Sequence, residues 1–284
     1  MKEIISRAQN LFSSIVLTTS HNKYNKDSYH LTYESGQYRQ SDLVKLIRDT
    51  VIHFALTPQE LAQINAETIT KLQARAWKRI SNRPTEKKGD YGELLLFLIL
   101  EVFYPARKVI TKVRLRSSLG DEIKGYDCAH FSIEDDKICL WLGEAKFYQE
   151  FNTAIYKAFE SLNDHSSDKA IKDELTILES NNTEINKTDR QALEDYLNSG
   201  ISLDDMMFKV PVLITYDSAT VEKHKEICDA FISELSTELD RKYSLIDGRT
   251  LTLKRNMEVH FILVPLQAVK EIKEALEKIE AAHK

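Results

Sequence analysis

The 284-residue sequence predicts an α/β fold, one mixed sheet flanked by helices. Three observations carry that expectation. Apolar residues alternate between helical spacing and short strand-like runs. From residue 91 onward those segments come in the order helix, three strands, helix, strand, helix, strand, helix. With 8 glycines, 5 prolines and no repeat or low-complexity tract, nothing argues for disorder.

The elements follow in order. An opening amphipathic stretch leads into HNKYNKDSYHLTYESGQYRQ, which reads as irregular and polar, and then into helical patterns at 41–54 and 58–81. The second begins at TPQE, with Thr57 as N-cap, Pro58 in the first turn and Glu60 completing a capping box. Asp90 can cap a helix at 91–103 that is apolar nearly all round and so must be buried, and Pro105 ends it. Strands are expected at 109–116, 125–133 and 137–147, then a helix at 152–163 with Ala154, Ile155, Ala158 and Leu162 on one side. The polar span 165–205 reads as an insertion or a cap. A strand at 209–215, a helix at 221–239, a strand at 258–264 and a helix at 268–281 close the chain. The expected organisation is a mainly helical, partner-binding region over 1–85 and a second domain over 86–284 carrying the polar insertion.

Several function classes drop out. The longest apolar run, 94–100, falls far short of the roughly 20 residues of a membrane span, and MKEIISRAQNLF lacks a signal peptide's apolar stretch, so a cytoplasmic protein is expected. Cys128, Cys139 and Cys228 form no CxxC or zinc spacing and read as reduced thiols. There is no GxxxxGK[ST] of a nucleotide-driven motor and no GxSxG elbow. His130 reads as a packed core histidine. The formal net charge of -5 argues against coating nucleic acid by bulk electrostatics, yet 71–88 and 107–116 are locally basic. They read either as the lining of a phosphate-attracting groove or as solvated surface.

The chemistry concentrates in GYDCAHFSIEDDKICLWLGEAKFY, residues 125–148. Pairing Ile133 with Ile138 around the acidic turn sets Asp127 opposite Glu144 and Gly125 opposite Lys146. Opposed residues of an antiparallel pair share a face, so two carboxylates would repel each other there. A divalent cation with oxygen ligands would relieve them, and Lys146 could orient or help deprotonate an attacking water. Gly125 and Gly143 would leave room for a substrate backbone. Glu93 reads either as a third acid or as a partner of its helix dipole. The competing reading is a Glu144–Lys146 ion pair that merely ends a strand.

GYD followed by GEAK resembles the PD-(D/E)xK nuclease superfamily, which implies a restriction-endonuclease-like core. The longer strings YESGQYRQSDLVKLI, KKGDYGELLLFLIL, KGYDCAHF and LWLGEAKFY are similar to the HamA family, nuclease subunits of Hachiman anti-phage defence systems. This resemblance implies Glu93, Asp127, Glu144 and Lys146 as the active site, with Asp127, Glu144 and Glu93 holding Mg²⁺ or, in substitution, Mn²⁺. It implies DNA as substrate and a superfamily 2 helicase of the HamB kind as partner. Lys87, Lys88, Arg114, Arg116 and Lys157 are the candidate nucleic-acid contacts. Tyr126 stands where the superfamily usually has proline. The expected function is therefore a metal-dependent DNA endonuclease of low sequence specificity working with a helicase. The alternatives are a catalytically silent subunit that binds DNA or a partner, and a stand-alone repair or restriction nuclease.

Overall fold

A computed structural model of the chain describes residues 1–15, 23–80, 90–111, 125–135, 137–181, 187–253 and 257–283. Among them a seven-stranded mixed sheet runs in the order β1-β2-β9-β8-β7-β6-β5. Its strands are β1 (Phe12–Ser14), β2 (Asn25–Leu31), β5 (Arg107–Thr111), β6 (Cys128–Glu134), β7 (Lys137–Phe147), β8 (Met207–Asp217) and β9 (Met257–Leu266). A small hairpin, β3 (Tyr33–Glu34) with β4 (Gln37–Tyr38), lies apart. β7, β8, β9 and β2 are mutually parallel, while β5, β6 and β1 pair antiparallel. Parallel strands covered on both faces need near-continuous apolar runs, and Val210, Val212, Leu213 and Ile214 of β8 are all fully buried.

On one face lies α5 (Asp90–Phe103), buried from Asp90 through Leu100 as its all-round apolarity requires. It approaches β7 so closely that a Cβ on Gly92 would stand 2.9 Å from Phe147 Cβ. Behind it pack α2 (Gln40–Ala55), α4 (Ile69–Arg79) and α11 (Val269–His283), with α1 (Lys2–Leu11) alongside. On the other face α6 (Phe151–His165) covers β7 and β8, and Phe159 stacks on Phe261 of β9 at 5.6 Å. Next to α6 come α7 (Asp168–Asn181) and α8 (Lys187–Leu197). Residues alternate along β7, so Gly143, Ala145 and Phe147 meet α5 while Glu144 and Lys146 face the α6 side.

Three expectations are corrected. The polar stretch read as irregular contains β2, which enters the large sheet beside β9. Its polar groups are buried with partners: Ser28 Oγ lies 2.9 Å from the Tyr243 hydroxyl, and His30 Nδ1 donates to the Leu31 carbonyl at 2.9 Å. Strands from the first 85 residues thus extend the sheet built by the later ones. The helix expected at 58–81 is split into α3 (Pro58–Leu61) and α4, because Asn65 Oδ1 accepts the Glu67 and Thr68 N–H groups and turns the chain. The capping box itself forms, Thr57 Oγ1 accepting the Glu60 N–H at 3.0 Å and Glu60 Oε2 the Thr57 N–H at 2.9 Å. The helix expected at 221–239 is also two, α9 (Ala219–Lys223) and α10 (Asp229–Asp247), since His224 leaves the helical region at φ -89, ψ 159. The polar span becomes α7 and α8, whose Ile171, Leu178 and Leu193 are fully buried. No helix among the described residues is long and apolar enough to cross a membrane.

Candidate active site

The hairpin takes the expected register, Ile133 opposite Ile138 and Cys128 opposite Gly143, with Glu134 opposite Lys137. Its loop is therefore two residues, and Asp135 sits at φ 48 in the left-handed region. Asp127 lies just before β6; its N–H donates to the Gly143 carbonyl at 2.8 Å, which carries the pairing one step beyond the strand. Asp127 and Glu144 are 8 % and 3 % exposed and line one cleft with Lys146. Each acid already has a local partner. Asp127 Oδ2 accepts the Ala145 N–H at 2.8 Å, and Glu144 Oε1 accepts from the Lys146 ammonium. The expected repulsion is thus relieved by a backbone donor and by a lysine.

Lys146 is tuned by its acids. Burial works to lower its pKa, but the charges of Glu144 and Asp127 and the hydrogen bond to Glu144 outweigh burial and raise it. It is an ammonium at neutral pH, suited to donating and neutralising rather than taking a proton. Behind the hairpin, burial pushes the Cys128 thiol well up, and the charges of Asp127, Glu93 and Glu144 add to that. The thiol is inert, and all three carboxylates are felt at the start of β6.

The glycines play a different part from the one expected. A Cβ on Gly143 would stand 2.7 Å from Cys128 Sγ and 2.8 Å from Leu96 Cδ2, so this glycine admits α5. Gly125, at φ +119, would place a Cβ 1.9 Å from Glu174 Oε1, so it admits α7. Both make room for the protein's own side chains, and Gly125 also lines the cleft.

The cleft, ≈ 720 Å³, is closed on one side by the end of α6 and by α7, including His165, Lys169 and Glu174. His165 Nδ1 stands 3.8 Å from Glu144 Oε2, and its ring packs 5.2 Å from Tyr126. Neither His165 nor Glu174 was legible as a site residue. Both lie in a span that reads only as polar, and a helix returning over a strand end leaves no mark in sequence spacing.

Other candidates are placed as follows. Glu93 is 4 % exposed in the first turn of α5 and does not line the cleft. No group of three His, Cys, Asp or Glu side chains among the described residues is gathered to hold a metal ion. Lys157 is solvent-facing, bonded to Glu160 at 2.7 Å, and is not among the cleft-lining residues. Lys87, Lys88, Arg114 and Arg116 lie outside the described residues. Within the basic stretches, Arg75 and Arg79 bind Glu60 at 3.0 and 2.7 Å, and Lys108 donates to the His53 and Phe54 carbonyls. Those three cations hold the fold together. His130 is fully buried against Phe97, and burial, helped by the charge of Lys108, pushes its pKa down to about 3, as a neutral core histidine.

Sheet, hairpin and cleft together define an α/β protein with two buried carboxylates and a lysine ammonium converging where β6 begins and β7 ends. The sequence model of the HamA family matches residues 8–279, and the chain belongs to the HamA family. Comparison with the curated proteins finds no match.

Proposed function

We propose that this chain is a metal-dependent DNA endonuclease of low sequence specificity, the cytoplasmic effector of a Hachiman-type anti-phage defence that works with a superfamily 2 helicase. The observation that carries the reading is the convergence of Asp127, Glu144 and Lys146 on one cleft. Two further observations support it. The order α5, β5, β6, β7, α6, β8 is compatible with a PD-(D/E)xK core, and the HamA family is associated with this defence.

The donor set fits a hard divalent cation: two nearly buried carboxylates offer oxygen ligands, and Lys146, paired with Glu144, offsets only one of their two charges. Asp127 and Glu144 would hold Mg²⁺ or Mn²⁺, with Glu93 a candidate third acid whose charge reaches the same strand end. When bound, the cation supplies charge neutralisation at the scissile phosphate and a water made more acidic. Lys146 would donate a hydrogen bond to a phosphate oxygen or orient the attacking water. The walls provided by α6 and α7 limit the water that reaches the reacting phosphate.

Purified chain incubated with plasmid DNA should convert supercoiled to nicked and linear forms with Mg²⁺ and do nothing with EDTA. A silent, DNA-holding subunit is the second reading, favoured by the absence of three converging ligands among the described residues. Retained DNA binding without cleavage in that assay would establish it instead.

A further inference from the structure

The loop that delivers Asp127 is tied down by a residue far along the chain. Glu174, midway along α7, is 8 % exposed, and its Oε1 accepts the Tyr126 backbone N–H at 2.8 Å. Tyr126 immediately precedes Asp127, and Gly125 before it takes the φ of +119 that lets the backbone bend around this carboxylate. From there the Asp127 N–H reaches Gly143 and its side chain reaches Ala145 N–H. The two-residue approach to Asp127 is therefore gripped by α7 on one side and by β7 on the other.

A buried acceptor on a backbone N–H fixes the local backbone, and removing it leaves that N–H unsatisfied. We infer that Glu174 is a positioning residue of the nuclease site. Acting through the Gly125–Tyr126 backbone, it sets the direction of the Asp127 carboxylate, so α7 belongs to the catalytic apparatus and is not a removable insertion. This inference rests on the metal-nuclease reading of the cleft.

The test uses the full chain, in wild-type form and as Glu174→Ala, Glu174→Gln and Gly125→Ala. Three readouts apply: plasmid cleavage as kcat and KM, Mn²⁺ affinity by calorimetry, and hydrogen exchange at the Tyr126 amide. Glu174→Ala should lower kcat and Mn²⁺ affinity about 10- to 100-fold, the range seen when partners of metal ligands are removed, with KM for DNA unchanged and faster exchange at Tyr126. Glu174→Gln keeps an acceptor oxygen and should stay within about threefold of wild type, a small part of that range. Gly125→Ala, with Glu174 intact, should reproduce the alanine defect because its Cβ has no room. Wild-type Mn²⁺ affinity and cleavage in Glu174→Ala would overturn the inference, as would a Gln variant as defective as the Ala one. If Glu174→Ala does not fold, the Gln and Gly125 variants decide. A wild type that neither binds Mn²⁺ nor cuts would instead overturn the nuclease reading, and this inference with it.

Discussion

Glu144 and Lys146 form a nearly buried ion pair, which makes the effect of mutation on stability predictable. Glu144→Ala should abolish cleavage and also lower the unfolding free energy by about 1–3 kcal/mol, because it leaves the Lys146 ammonium poorly solvated and without its acid. Denaturant melts of the variant check this, and a level or higher midpoint would mean that repulsion from Asp127 outweighs the pair. His130 gives a second outcome. Its pKa is held near 3 against an unfolded value of about 6.5, so the folded state resists protonation. Its contribution is complete above about pH 6.5 and is lost as the pH falls toward 3. The facing charged groups, Lys108 and Glu101, the latter 4.0 Å from Nε2, stay in place in His130→Leu. That variant should flatten the stability curve between those pH values, and an unchanged slope would assign the acid sensitivity elsewhere. At this scale the acids and lysine of the hairpin were legible, because a two-residue turn and a strand period of two fix which residues oppose. Glu174 and His165 were not, since their contacts join segments 48 and 21 positions apart and depend on how α6 and α7 pack back over the end of the hairpin, which local spacing does not report.

The capping box of α3 does more than start a helix. Glu60 also anchors Arg75 and Arg79 of α4, so one carboxylate joins the two pieces of what reads as a single helix. Burial would raise its pKa, but bonds from Arg79, from the Thr57 N–H and from Arg75 prevail and lower it to about 2. Stability from Glu60 is thus full above about pH 4.5 and fades as the pH falls toward 2. Glu60→Gln should lower the thermal midpoint at pH 7 and lose that deficit at pH 2, whereas Thr57→Ala should cost about 1 kcal/mol at both pH values. Thermal melts of both variants across pH separate the two effects. The capping box was readable from TPQE alone, because its bonds are local. β2 escaped notice because NKDSYHL carries neither an alternating nor a continuous apolar pattern. Its place in the sheet depends on partners such as Tyr243 that only the folded chain supplies.

The whole molecule must restrain a cleft that has no evident means of reading DNA sequence. The proposed helicase partner supplies that restraint: co-expressed, the two proteins should elute together, with plasmid cleavage low until ATP and a suitable DNA are added. Separate elution, or full cleavage without ATP, would leave the stand-alone nuclease as the better account. The order α5, β5, β6, β7, α6 around the cleft could be read in advance, but α7 and the joining of β1 and β2 to β9 could not, because no local pattern reports a pairing across the length of the chain. That joining sets a timetable. Asn25 of β2 pairs beside His260 of β9, so the β1–β2 pair cannot join the rest of the sheet until the ribosome has made β9. At 5–20 residues per second that wait is on the order of ten to fifty seconds. Until β9 is made the nascent sheet has an open edge along β8, and the proposed nuclease can complete its fold only once β9 bridges the early and late strands.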